Sequence, residues 1–130
     1  MKLTILGSGT VVPNGLRNSA GYFVELPDAR VMMDCGAGTV HALARYNCPW
    51  ERMTHLFVSH FHVDHIGELA SLFFAFRYGM KQERSEPLTI IGTATNSWQP
   101  KIWRGPEPIA ACWLMKGSFQ RMTDRQSWTV

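Results

Sequence analysis

The 130-residue chain is 45% hydrophobic, enough for a real core and too little chain for more than one domain. Its net charge of +3 hints at a nucleic-acid partner, but the distribution removes the hint. Residues 1–92 carry eight basic and eight acidic residues, and the whole excess sits in 93–130. Three cysteines (Cys35, Cys48, Cys112) are an odd count without zinc-finger spacing. They exclude a disulfide framework and point to free thiols in a reducing compartment. No apolar run reaches the roughly 20 residues of a membrane span. The opening Met1–Gly7 is too short for a signal peptide, so a cytoplasmic protein is expected.

Leu3–Leu6 reads as a first strand, stopped by Gly7-Ser8-Gly9-Thr10. That glycine-rich stretch lacks the Lys of a phosphate-binding loop, and Pro13 and Gly15 keep the chain turning. A tight turn bordering a site is favoured over a nucleotide loop. Gly21–Leu26 and Arg30–Asp34 form a hairpin about the Pro27-Asp28 turn. Asp34-Cys35-Gly36-Ala37-Gly38-Thr39 follows, with glycines for close backbone approach and Thr39 as a candidate cap. Val40, Leu43, Ala44 and Asn47 match a short amphipathic helix over about 39–47, ended by Pro49. His41, on that helix, reads as an ordinary histidine. His55–Ser59 is a buried strand; His55 lies on its opposite face and reads as structural. Ile66, Leu69, Ala70 and Phe73 set a helix over about 66–78, and Pro87–Gly92 returns as a strand. Strands near 3–6, 21–26, 30–34, 55–59 and 88–91, mostly antiparallel, should build one αβ layer.

The chemistry concentrates at the end of the fourth strand, where His60, His62, Asp64 and His65 fall within six positions. In extended chain i and i+2 point the same way, so His60 and His62 offer two imidazoles to one point. The turn required before Gly67 brings Asp64 and His65 to a second point nearby. Imidazole and carboxylate are the usual non-thiolate zinc ligands. Two plus two of them suit a pair of ions about 3.5–4 Å apart better than a single ion. The N-terminus of the following helix is expected to face this cluster and favour a bound anion.

The order His-x-His-x-Asp-His resembles the signature of the metallo-β-lactamase superfamily. Leu6–Thr10, Arg17-Asn18, Asp34-Cys35-Gly36 and Pro87–Ile90 resemble its ribonuclease Z (tRNase Z)-like branch, N-terminal part, over residues 1–92. The resemblance implies an α/β (α+β) fold, the N-terminal and incomplete portion of an αββα sandwich. It implies a zinc-dependent hydrolase with His60 and His62 on one Zn2+, Asp64 and His65 on the other, and Asp64 as catalytic proton acceptor. The implied reaction is endonucleolytic removal of the 3′ trailer from precursor tRNA. By the same resemblance Asp34 hydrogen-bonds a metal ligand; its residue-level reading is a cap or turn aspartate, and both stand. Val63 replaces the branch's usual Gly, and Gly67 comes early, which leaves another phosphodiester or an ester open as substrate. No membrane partner is implied, and a homodimer is left open.

Residues 93–130 change character, with four of the five tryptophans, three of the seven prolines and no histidine. The family's Gly-rich turn and its downstream His, bridging Asp and final His are missing here. Residues 1–92 are thus expected to be the N-terminal part of the domain. Residues 93–130 are a divergent or out-of-frame tail, or a small binding appendage. Three functions compete: an active hydrolase, an inactive metal-binding fragment, and an interaction protein on a dead hydrolase fold. Four retained ligand residues argue against the third.

Overall fold

A computed structural model describes residues 1–80, 84 and 87–92, with the backbone alone of 101–103 and 128–129. Five strands carry the layer: β1 (Lys2–Gly7), β2 (Gly21–Glu25), β3 (Arg30–Met33), β4 (His55–Val58) and β5 (Leu88–Gly92). Short strands β6 (Lys101–Trp103) and β7 (Trp128–Thr129) extend it, in the order β1-β2-β3-β4-β5-β6-β7. Apart from these two strands, the expected tail lies outside the described residues.

The first three strands form an antiparallel meander, with Phe23 opposite both Thr4 and Met32. The next two pairings, β3 with β4 and β4 with β5, are parallel. The expectation of mostly antiparallel strands is therefore corrected. Parallel neighbours need a crossover of a dozen or more residues. The helical stretches after β3 and after β4 are those crossovers, so the chain order already demanded parallel pairing there.

Alternation along the strands divides the sheet into two faces. Phe23, Met32, Leu56, Val58, Leu88 and Ile90 point inward and are buried with Leu43, Met53, Leu72 and Phe76. Each such side chain contributes about 1.5–3 kcal/mol when fully buried. Their neighbours Leu3, Ile5, Tyr22, Val24, Val31, Met33, Phe57 and Ile91 lie opposite one another on the outer face. Leu3 and Ile5 remain more than half exposed there.

Helix α1 (Thr39–Arg45) buries Thr39, Ala42 and Leu43 against this core. It ends before Pro49, because Asn47 turns to φ 51°. The Cys48 and Asn47 amides then bond Leu43 O and Ala44 O, at 2.9 and 3.1 Å, the two bonds of a Schellman stop. Thr39 is not the cap: Gly38 is, at φ 86°, and Thr39 Oγ1 bonds Gly36 O instead. The long helix expected over 66–78 is three pieces: α2 (Val63–Ile66), α3 (Leu69–Phe74) and a π-helical turn, Ala75–Gly79. Helix begins earlier than expected, with Asp64 and His65 already inside α2. It breaks at Gly67-Glu68 because the Glu68 amide bonds Cys35 O at 2.9 Å, outside any helical register. Leu72 and Phe76, four residues apart, are the buried side chains of this stretch, and Trp50 stacks on Phe76 at 5.6 Å between centroids.

Two substitutions separate the faces. Leu56→Ala should cost about 2–5 kcal/mol through transfer and cavity terms. Leu3→Ser on the outer face should change the stability of the monomer by no more than about 0.5 kcal/mol, as exposed sites do. Urea unfolding midpoints of the two variants check this contrast.

Candidate metal centre

The site forms where the loops leaving β1, β3 and β4 meet. Asn18 Nδ2 donates to Leu6 O and Gly38 O, at 2.9 and 3.2 Å, tying the first loop to the third strand's exit. Gly9 N–H donates to Asn18 O at 2.8 Å, and no helix follows Gly7–Thr10, in keeping with a bordering turn. The segment after β3 then runs under the motif. Cys35 N–H donates to His65 O at 2.6 Å. A Cβ on Gly36 would collide with the Asp64 carbonyl oxygen, so only glycine lets these two backbones touch.

Asp34 sits at this crossing with φ 60°, a left-handed conformation that aspartate adopts more readily than most residues, and is 6% exposed. Its Oδ1 accepts Ser59 N–H at 2.8 Å; its Oδ2 accepts Ser59 Oγ–H at 2.8 Å. The same Oδ2 lies 2.8 Å from His65 Nδ1. An ionised carboxylate only accepts, so His65 carries its proton on Nδ1 and its Nε2 lone pair is free. That Nε2 faces Asp64 Oδ2 at 3.6 Å. The expected hydrogen bond between Asp34 and a candidate ligand is thus present, with His65 donating.

Among the other motif residues, His60 Nε2 and His62 Nδ1 lie 3.2 Å apart. The imidazoles of His60 and His65 approach to 3.9 Å between centroids, which sets the two donor pairs side by side. Two ligands on one tetrahedral zinc, each at about 2.0–2.1 Å, are roughly 3.3 Å apart. The separations of 3.2 and 3.6 Å bracket that value, so the donor set fits metal ions held pairwise. Among the described residues no group of three His, Cys, Asp or Glu side chains is placed to hold a metal ion. The structure brings the sequence-predicted residues together in two pairs, His60 with His62 and Asp64 with His65. His55 bonds Thr54 Oγ1 at 2.8 Å, and His41 is exposed on α1.

Two residues escaped the sequence reading. Ser59 joins Asp34 to the imidazoles, its Oγ lying 3.1 Å from His60 Nδ1 and 3.2 Å from His65 Nδ1. Glu68 accepts the Gly38 and Val40 amides at 2.8 and 2.7 Å, closing the start of α1 with its carboxylate. Asp34 lies 25 residues from Ser59, and Gly38 and Val40 lie 30 and 28 residues from Glu68, so no local pattern marks these bonds. The helix expected to aim its dipole at the cluster is instead four residues long, too short to supply an anion site.

Residues 1–105 match the family described as Anti-Pycsar protein Apyc1. The chain belongs to that family. Ribonuclease Z of Treponema denticola is 38% identical over 88 residues, 68% of this chain and 28% of that protein. Ribonuclease Z of Halorubrum lacusprofundi is 36% identical over 90 residues, 69% of this chain and 28% of that protein. The chain thus spans under a third of the length of these relatives. The metallo-β-lactamase fold protein YhfI of Bacillus subtilis superposes with a TM-score of 0.59 at 29% identity, covering 72% of this chain and 37% of that one. Human tRNase Z, short form, gives 0.52 at 30% identity, covering 55% and 28%. The chain is accordingly a metallo-β-lactamase superfamily member of the ribonuclease Z-like branch, matching its N-terminal part. Its fold class is the mixed α/β of these hydrolases, a family that implies a metal-ion cofactor.

Burial pushes the Cys35 thiol up to about 12 from its ordinary 9.0. The unfolded chain ionises that thiol near 9.0 while the native protein keeps it protonated. Unfolding then releases a proton, and stability should fall as pH rises from 9.0 towards 12, by up to ~1.4 kcal/mol per pH unit. Cys35→Ala should flatten that alkaline slope in unfolding curves taken across the window. Gly36→Ala should separate the two backbones and lower both stability and metal affinity, read by thermal unfolding and zinc titration.

Proposed function

We propose that the chain carries a binuclear zinc centre for phosphodiester hydrolysis. The observation that carries the reading is the pair of donor separations, 3.2 Å for His60 with His62 and 3.6 Å for Asp64 with His65. His60 Nε2 and His62 Nδ1 would hold one ion; Asp64 and His65 Nε2 would hold the other. Bound there, the ions supply Lewis acidity towards the phosphate oxygens and water with its pKa lowered to about 7. Asp64 takes up the proton that the attacking water loses. Asp34 keeps the His65 proton on Nδ1 and so keeps Nε2 available. Misplacing any of these groups by an ångström costs roughly a hundredfold in rate, which is why the buried bracing matters.

The substrate reading taken from the ribonuclease Z relatives is precursor tRNA, cleaved at its 3′ trailer. A second reading is another phosphodiester or an ester, since Val63 stands where the ribonuclease Z branch usually has Gly and the matching family bears a different description. The buried free thiols of Cys35 and Cys48 support a cytoplasmic setting, and no described helix is long and apolar enough to cross a membrane. The apolar outer face supports self-association into a homodimer. The division at Gly92 is also a proposal, supported by the change in composition there.

The described residues supply two candidate ligands per ion, one short of the three of a typical catalytic zinc site. This chain should therefore bind zinc weakly and turn over slowly. The test is a zinc titration with assays on precursor tRNA, a 3′,5′-cyclic nucleotide and bis(p-nitrophenyl) phosphate. His60→Ala and His65→Ala should each remove one ion's binding and spare the other's. In a full-length relative, Asp64→Ala at the matching position should abolish turnover. Tight binding of two zincs by the 130-residue chain, with Asp64-dependent turnover, would overturn the reading of an under-ligated centre.

A further inference from the structure

The hydroxyl of Ser59 has one proton and two lone pairs, and its neighbours decide where each goes. Asp34 Oδ2 at 2.8 Å can only accept, so it takes the Ser59 Oγ proton. His60 Nδ1 lies 3.1 Å from the same oxygen. With its proton committed to Asp34, Ser59 Oγ can meet His60 only as an acceptor. The His60 proton must then sit on Nδ1, leaving the Nε2 lone pair towards His62 Nδ1 at 3.2 Å. The Ser59 amide, bonded to Asp34 Oδ1 at 2.8 Å, fixes the backbone from which the hydroxyl projects.

We propose that Ser59 is a positioning residue that sets the tautomer of His60, so that Asp34 orients both halves of the metal centre. It orients His65 directly and His60 through the Ser59 hydroxyl. This rests on the reading of His60 as a metal ligand, and it adds a role for a residue that touches no ion. Such a relay differs from an ordinary strand-end serine in one respect: removing the hydroxyl frees the His60 proton to move while the backbone stays in place.

The test begins without metal. Imidazole ¹⁵N shifts of the histidine-labelled, metal-free 130-residue chain should report His60 protonated on Nδ1. Ser59→Ala should shift His60 towards the Nε2–H form and weaken zinc binding about 10–100-fold, the usual cost of losing a ligand's supporting partner. Ser59→Thr, which keeps the hydroxyl, should restore both readings. If Ser59→Ala does not fold, Ser59→Cys serves, since a thiol fills the space but accepts poorly. An Nε2–H form in the parent chain, or a tautomer that Ser59→Ala and Ser59→Cys leave unchanged, overturns the relay. Zinc binding unaltered by His60→Ala would instead overturn His60 as a ligand, while leaving the tautomer result intact.

Discussion

A buried carboxylate organises this layer. Asp34 accepts the Ser59 amide, the Ser59 hydroxyl and the His65 ring proton, and all three come from the segment beyond β4, the last from α2. An ionised group held at such low exposure is costly unless its lone pairs are filled. The chain fills them with groups that need fixed directions of their own. The left-handed backbone at Asp34 turns the chain from β3 into the segment beneath the motif, where Gly36 lets the two backbones touch. Strand exit, backbone contact and imidazole orientation are thus one structural problem with one solution.

Glu68 does the converse at the motif's other end. Its side chain reaches back to the first amides of α1, and its amide bonds Cys35 O. Between them Asp34 and Glu68 clasp the loop from both sides, each across about 30 residues of sequence. That double hold is why the helix breaks at Gly67 and why α2 stays short.

Much of this was legible beforehand. Alternation located every strand of residues 1–92 to within a residue or two, and the spacing of His60, His62, Asp64 and His65 marked the candidate site. Strand direction was misjudged because alternation is blind to it, although a helix between neighbouring strands implies parallel pairing. The break at Gly67-Glu68 was illegible for a different reason. Ile66, Leu69, Ala70 and Phe73 keep helical spacing across it, and the interruption comes from a bond to Cys35, far away in sequence. Ser59 read as the last residue of a strand, since a hydroxyl's partners leave no trace in periodicity.

The outer face of the sheet carries a thermodynamic consequence. Leu3, Ile5 and Met33 stay exposed beside half-buried Tyr22, Val24 and Phe57, a patch of the kind that interaction surfaces present. Native domains are stable by only about 5–15 kcal/mol, and covering a few such side chains is worth a good fraction of that. Folding of the layer and occupancy of this face are therefore linked equilibria. Whatever binds the folded face and not the unfolded chain raises apparent stability by mass action. The bracing around Asp34 inherits that dependence, since it persists only while the strands that carry it stay paired.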